Sequence, residues 1–285
     1  MSKLFIIEPQ EAAKVDVIAK GVELARQLAL APEVFAYCYE YIPDNPVLFG
    51  DAPQQIVKHK RQELTAQLAA HDLADVPVNV VWHKHMCEHV AEHSAANGFR
   101  MVVKGIYASN NLCPSDWHLL RSSKVPVMLL TEQPLQRGNT VLMALDLDTL
   151  KPEKLALNQK VRQYAAQLAE ISGATLHLAF IVRVPRLLRD LAVINSHELV
   201  KEAYQRHQVA LNDIGLPPEQ VHFICGDPAQ CIYQLSCSLK SQYVVLGANQ
   251  RQGIAGFVLG NTAEQILQRI RSDVLVIPKG AVDAS

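Results

Sequence analysis

Two stretches of the chain carry residue types that could do chemistry. The first, VLGANQRQGIAGFVLGNTAEQIL (Val245–Leu267), opens as an apolar strand, continues through Gly247, Gly253 and Gly260, and ends in a helical pattern that starts near Asn261. Glycines let a backbone turn tightly and come close to phosphate oxygens, while the amides of a helix start and the hydroxyl of Thr262 supply donors to negative charge. The second, WHKHMCEHVAEH (Trp82–His93), is the densest group of metal-ligand types. His85, His89 and His93 are spaced four apart and share a helical face, with His83 approaching from a strand end. His83, His85 and His89 are therefore candidate zinc ligands, completed by Cys87 or a water; the competing reading is solvated surface imidazoles.

The elements that would position these groups are written twice. Short apolar runs alternate with helical patterns, at Leu4–Ile7, Val34–Tyr39, Val78–Val81, Met101–Val103 and Pro126–Leu130, and again at Thr140–Leu145, Thr175–Ile181, Gln220–Ile224, Tyr243–Leu246 and Asp273–Ile277. Each run is apolar throughout rather than alternating, as in strands covered on both faces, and the segments between them are long enough for crossover helices. The reading is α/β, with two tandem doubly wound parallel sheets of five strands each. GFRMVVKG (Gly98–Gly105) aligns with KSQYVVLG (Lys240–Gly247) at an offset of 142, and SDWHLLRSSKVPVMLL with Thr262–Ile277 at 147, so the first half is five residues shorter between Gly105 and Ser115. By the same repeat His83 is expected opposite Cys225. The linker is placed at Glu132–Asn139, giving domains 1–135 and 139–285.

With LMALDLD at the first strand, GDPAQCIYQL before YVVLG, and the strings DWHLLR and LGNTAEQI, the second half resembles the universal stress protein family, and the doubled chain resembles its tandem, E-type subgroup of two UspA-like domains. The resemblance covers nearly the whole chain. It implies an adenine nucleotide alpha hydrolase-like fold with strand order 3-2-1-4-5 in each domain, and edge strands that pair within the chain, with a homodimer as a further partner. It also implies a nucleotide motif of Gly, two residues, Gly, nine residues, Gly, then Ser or Thr. Gly247 and Gly260 match the outer glycines; Gln250 stands at the middle one and Asn261 at the hydroxyl. Asp146 matches the acid that meets ribose or adenine, and Ile181, with Leu246 beside Gly247, the backbone positions along the nucleotide. Asn261 is expected to cap the helix, and Thr262 to restore a hydroxyl. In the first half Cys113 and Pro114 stand where Gly260 and Asn261 do, so ATP is expected in the C-terminal domain alone.

The resemblance implies a cytoplasmic stress-resistance protein, including resistance to DNA-damaging agents, and the reading is that it acts by non-catalytic binding of a ligand or partner. The alternative is an ATP-binding switch with slow hydrolysis. Walker A, G-x-S-x-G, H-E-x-x-H and G-x-G-x-x-G motifs are absent from the sequence, which leaves an enzyme reading little to stand on. Asp116 and His118 in PSDWHLLR point in different directions on a helix; Asp116 serves the helix dipole, and Trp117 covers the altered loop. With 27 basic and 28 acidic residues no global field draws nucleic acid, and no apolar run reaches membrane-span length. The local basic runs RVPRLLR (Arg183–Arg189) and KHKR (Lys58–Arg61, placed before a helix) read as solvated faces, the alternative being contact with an anionic ligand or nucleic acid. Residues 41–57 and 185–197 read as lids over a pocket or as packing between domains. Six cysteines without a C-x-x-C pair read as reduced thiols.

Overall fold

Runs such as Leu4, Phe5 and Ile6 are wholly buried at consecutive positions, so both faces of the strand that contains them are covered. The computed structural model describes residues 2–9, 15–42, 50–106, 114–131, 138–184, 195–249, 251–253 and 256–281. These divide into two compact units: one holds the described residues up to 131 with 280 and 281, the other residues 138–279. The expected linker residues 132–137 lie outside the described ones.

In the first unit the elements are β1 (Lys3–Ile7), α1 (Val15–Gln27), β2 (Ala31–Cys38), α2 (Ala52–Ala69), β3 (Val78–Trp82), α3 (Met86–Ala96), β4 (Phe99–Gly105), α4 (Pro114–Ser122) and β5 (Val127–Leu130). The strand order is β3-β2-β1-β4-β5. β1 runs parallel to both β2 and β4, β2 to β3, and β4 to β5. KHKR lies inside α2 rather than before a helix, with Lys60 paired to Glu8 at 2.9 Å.

The second unit repeats the scheme with β6 (Thr140–Ala144), α5 (Pro152–Ser172), β7 (Thr175–Arg183), α6 (Ser196–Arg206), α7 (Gln208–Ile214), β8 (Val221–Gly226), α8 (Pro228–Ser238), β9 (Tyr243–Ala248), β10 (Arg251–Gly253), β11 (Gly256–Val258), α9 (Asn261–Leu267) and β12 (Asp273–Pro278). The order β8-β7-β6-β9-β12 is the same 3-2-1-4-5. Local chemistry fixes the helix ends: Pro152 occupies the first turn of α5, Gly173 closes it with φ +63°, and the side chains of Asn195 and Asp227 cap α6 and α8.

Sheet register supports the internal alignment. Gly105 lies opposite Leu130 in the first unit as Gly247 lies opposite Ile277 in the second. It also corrects one assignment: Cys38 pairs with Trp82 and Val182 with Cys225, so Trp82, not His83, shares the position of Cys225. The expected plain loop after Gly247 contains a two-stranded antiparallel ribbon, β10–β11, with Arg251 opposite Val258 and Gly253 opposite Gly256. No helix among the described residues is long and apolar enough to cross a membrane. Among the described cysteines none is in a disulfide; Cys87 and Cys231 are buried and Cys237 is exposed. The expected lid residues 43–49 and 185–194 lie outside the described ones.

Candidate functional site

Parallel strands leave a crevice at their carboxyl ends where the order reverses, here between β6 and β9. In the second unit this crevice is a cavity of about 740 Å3, bounded by the ends of β6, β7 and β9 and by α5, α6, α8 and α9. Leu157, Phe180, Ile232, Leu259 and Ile266 contribute apolar surface to its lining, beside charged and polar side chains. Asp146, Ile181, Leu246, Gly247, Gly260, Asn261 and Thr262 all line it. Gln250 lies outside the described residues.

Asp146 follows β6 and is braced from α5. Its backbone N–H donates to Asn158 Oδ1 at 3.3 Å, Asn158 Nδ2 donates to its carbonyl at 2.8 Å, and Lys154 Nζ donates to its carboxylate at 2.8 Å. The carboxylate is thereby aimed while remaining 42% exposed. At the cavity mouth Asp148 accepts from His207 Nε2 at 3.0 Å and lies 3.8 Å from Arg206, tying the loop after β6 to the junction of α6 and α7. From the opposite wall Arg183, the last residue of β7, donates to the Thr262 hydroxyl at 3.2 Å.

The outer glycines of the motif do different jobs. A Cβ on Gly247 would lie 2.8 Å from Leu157 Cγ, and one on Gly105 2.9 Å from Val17 Cγ1. The glycine near the carboxyl end of the fourth strand of each unit therefore lets α5 or α1 seat against the sheet, and is required without any ligand. Gly260 has φ −62° and nothing nearer than 3.8 Å to its absent Cβ, so the folded chain alone does not require glycine there. Gly260, not Asn261, is the capping position of α9; Asn261 is the first helical residue, because the chain is still extended at Gly260 (ψ +134°).

The first unit fills two of the corresponding positions differently. Lys104 and Asp116 form an ion pair, with side chains 12% and 3% exposed. By the repeat these positions correspond to Leu246 and Ala263, both lining the cavity of the second unit. Asp116 is thus a buried, paired acid rather than only a surface complement to the dipole of α4, and Trp117 is half-buried beside it. Residues 107–113 lie outside the described ones.

The zinc assignment is corrected. Among the described residues no three His, Cys, Asp or Glu side chains are grouped to hold a metal ion. α3 begins at Met86, so His85 precedes the helix and is off the face that His89 and His93 share. His83 Nδ1 accepts the His85 backbone N–H at 3.0 Å, and His89 Nδ1 bonds the Tyr37 hydroxyl at 2.9 Å while its ring stacks on His93. Burial, then the neighbouring His93 and His83, lower the pKa of His89. A chain of mutually packed imidazoles replaces a convergent set of nitrogens.

The sequence does not single out Lys154, Asn158, Asp148, Arg206 or Lys104 as site residues, and it offers Arg183 only within a basic run whose alternative reading is an anionic-ligand contact. Lys154 and Asn158 are four apart on the helix after Asp146, a spacing that places both over that acid.

Residues 153–278 match the profile of the universal stress protein family. The chain is 28% identical over 293 residues to universal stress protein E of Escherichia coli K12, covering 96% of this chain and 92% of that one. It is 22% identical over 244 residues to the universal stress protein E homolog of Haemophilus influenzae, covering 81% and 79%. Among solved structures, a universal stress protein of Pseudomonas aeruginosa UCBPP-PA14 aligns with TM-score 0.70 at 23% identity over 97% of this chain and 92% of that one. One from Archaeoglobus fulgidus DSM 4304 aligns with TM-score 0.65 at 14% identity, covering 97% and 98%.

Proposed function

We propose that this chain, similar to the universal stress protein family over residues 153–278, is a cytoplasmic stress-response protein that works by holding an adenine nucleotide in its second unit without turning it over. The observation that carries the reading is the convergence of Asp146, Ile181, Leu246, Gly247, Gly260, Asn261 and Thr262, from four separate chain segments, on one cavity. Its volume of about 740 Å3 is within the range that encloses a ligand of nucleotide size.

The residues fit the group they would hold. Ile181 and the neighbouring apolar walls offer a slot for a flat base. The partly exposed carboxylate of Asp146 accepts from ribose hydroxyls, with Asn158 and Lys154 keeping it in place. The open space at Gly260 lets an oxyanion approach the backbone, and Thr262 provides a hydroxyl donor. The mouth carboxylates that could activate water, Asp148 and Asp146, are each tied to a cation or a histidine, an arrangement suited to binding more than to proton transfer.

Isothermal titration calorimetry with adenosine, ADP and ATP tests this. Wild-type protein is expected to bind all three saturably, Asp146→Ala to weaken each at least about tenfold, and ATP to be recovered intact afterwards. Failure of every adenine compound to bind at millimolar concentration overturns the reading, and recovery of ADP replaces its non-catalytic part with a slow ATPase.

A further inference from the structure

Three cations line the cavity of the second unit, and two of them are already satisfied by carboxylates. Lys154 is paired with Asp146 at 2.8 Å. Arg206 is paired with Glu202 at 3.1 Å and lies 3.8 Å from Asp148, which also takes His207. Arg183 differs: among the described residues no carboxylate is within ion-pair reach, and its guanidinium bonds a neutral hydroxyl, Thr262 Oγ1, at 3.2 Å. A guanidinium carries five donors in a planar fork matched to carboxylates and phosphates, and one neutral acceptor leaves most of that capacity unused.

Its position in the fold gives that capacity a direction. Successive side chains of a strand alternate between faces, so Arg183 stands on the same face of β7 as Ile181, two residues before it. Ile181 is buried in the cavity wall, and the Arg183 side chain reaches across to Thr262, beside Gly260 and Asn261. A ligand whose apolar end lies on Ile181 therefore presents its other end to the guanidinium. Thr262 accepts from Arg183, which leaves its own hydroxyl proton to give to the same oxyanion.

We propose that Arg183, together with Thr262, forms the anion subsite of this cavity and takes the terminal phosphate of a nucleotide. The proposal rests on the nucleotide reading above and adds where the charge is recognised: by a side chain from β7, where the motif glycine that would open the loop backbone is replaced by Gln250. Affinity then rises with the number of phosphates, and discrimination between adenosine and ATP resides in Arg183.

The test is calorimetry on full-length wild type, Arg183→Gln and Arg183→Lys, with adenosine, ATP and inorganic pyrophosphate as probes and a thermal melt of each variant as the folding control. Arg183 is exposed at a strand end, so its replacement is expected to leave the melt unchanged. Arg183→Gln is expected to weaken ATP about 10- to 100-fold while adenosine changes less than about twofold; Arg183→Lys, which keeps the charge and loses the fork, falls between. Equal loss for adenosine and ATP, or an unchanged ATP affinity, overturns the subsite. If wild type binds no adenine compound, the nucleotide reading fails, and pyrophosphate alone then decides: saturable binding that Arg183→Gln removes sustains an anion site, and absence of such binding overturns it.

Discussion

Lys104 and Asp116 pair in the interior of the first unit at the two positions that Leu246 and Ala263 hold in the second, where both line the cavity. One copy of the repeat thus carries its own anion and cation where the other leaves space. The two units differ at these positions as well as by the five residues missing from the first.

The pair makes an asymmetric demand on stability. Asp116→Ala alone strands the Lys104 ammonium in an apolar setting, with an expected loss of about 3–5 kcal/mol. The double variant Lys104→Leu with Asp116→Ala copies the second unit and removes both charges together, so most of that loss should be recovered. Urea unfolding of the three proteins measures this; equal destabilisation by single and double variants would show that packing, not charge, holds the place.

The two outer glycines should separate cleanly. Gly247→Ala drives a methyl into Leu157 and is expected to cost about 1–3 kcal/mol in denaturant unfolding. Gly260→Ala, at a φ that alanine accepts with open space around it, should be neutral or stabilise by up to about 1 kcal/mol. Its ATP affinity should nevertheless fall at least about tenfold, since the methyl stands where the backbone meets the ligand. A stable Gly260→Ala protein with unchanged affinity would move the ligand away from α9.

Acid should loosen the fold through its histidines. His177 Nδ1 and His222 Nε2 lie 2.9 Å apart with rings stacked. Burial lowers the pKa of both, and for His222 the neighbouring His177 lowers it further; His89 is lowered by burial first and then by His93 and His83. Each folded-state value is below the ordinary 6.5, so the unfolded chain binds more protons in the window below it. The stability these groups contribute is complete above about pH 6.5 and is lost as pH falls through their folded values. Urea midpoints at pH 7.5 and 5.5 should differ less in His222→Gln than in wild type, and an identical difference would remove the pair from the account.

How much of this was legible depended on whether a feature is local. Apolar runs such as Leu4–Ile7 and Val244–Leu246 announce buried parallel strands, and their order follows once the repeat and the resemblance are seen. The β10–β11 ribbon was hidden because its glycines read as plain loop. Asp146, Ile181, Leu246, Gly247, Gly260, Asn261 and Thr262 could be named position by position, whereas the brace on Asp146, the Lys104–Asp116 pair and the bond from Arg183 to Thr262 join residues 8, 12 and 79 positions apart. The histidine cluster misled for a related reason. Spacing of four implies one helical face only where the helix exists, and α3 starts one residue after His85.

Native mass spectrometry of the full chain titrated with ATP addresses the central claim most directly, because it counts ligands on each molecule. One nucleotide per chain at saturation is the expected result, with the second unit filled and the first left empty. No adduct at millimolar ATP would contradict binding itself, and two per chain would contradict the division of labour between the units.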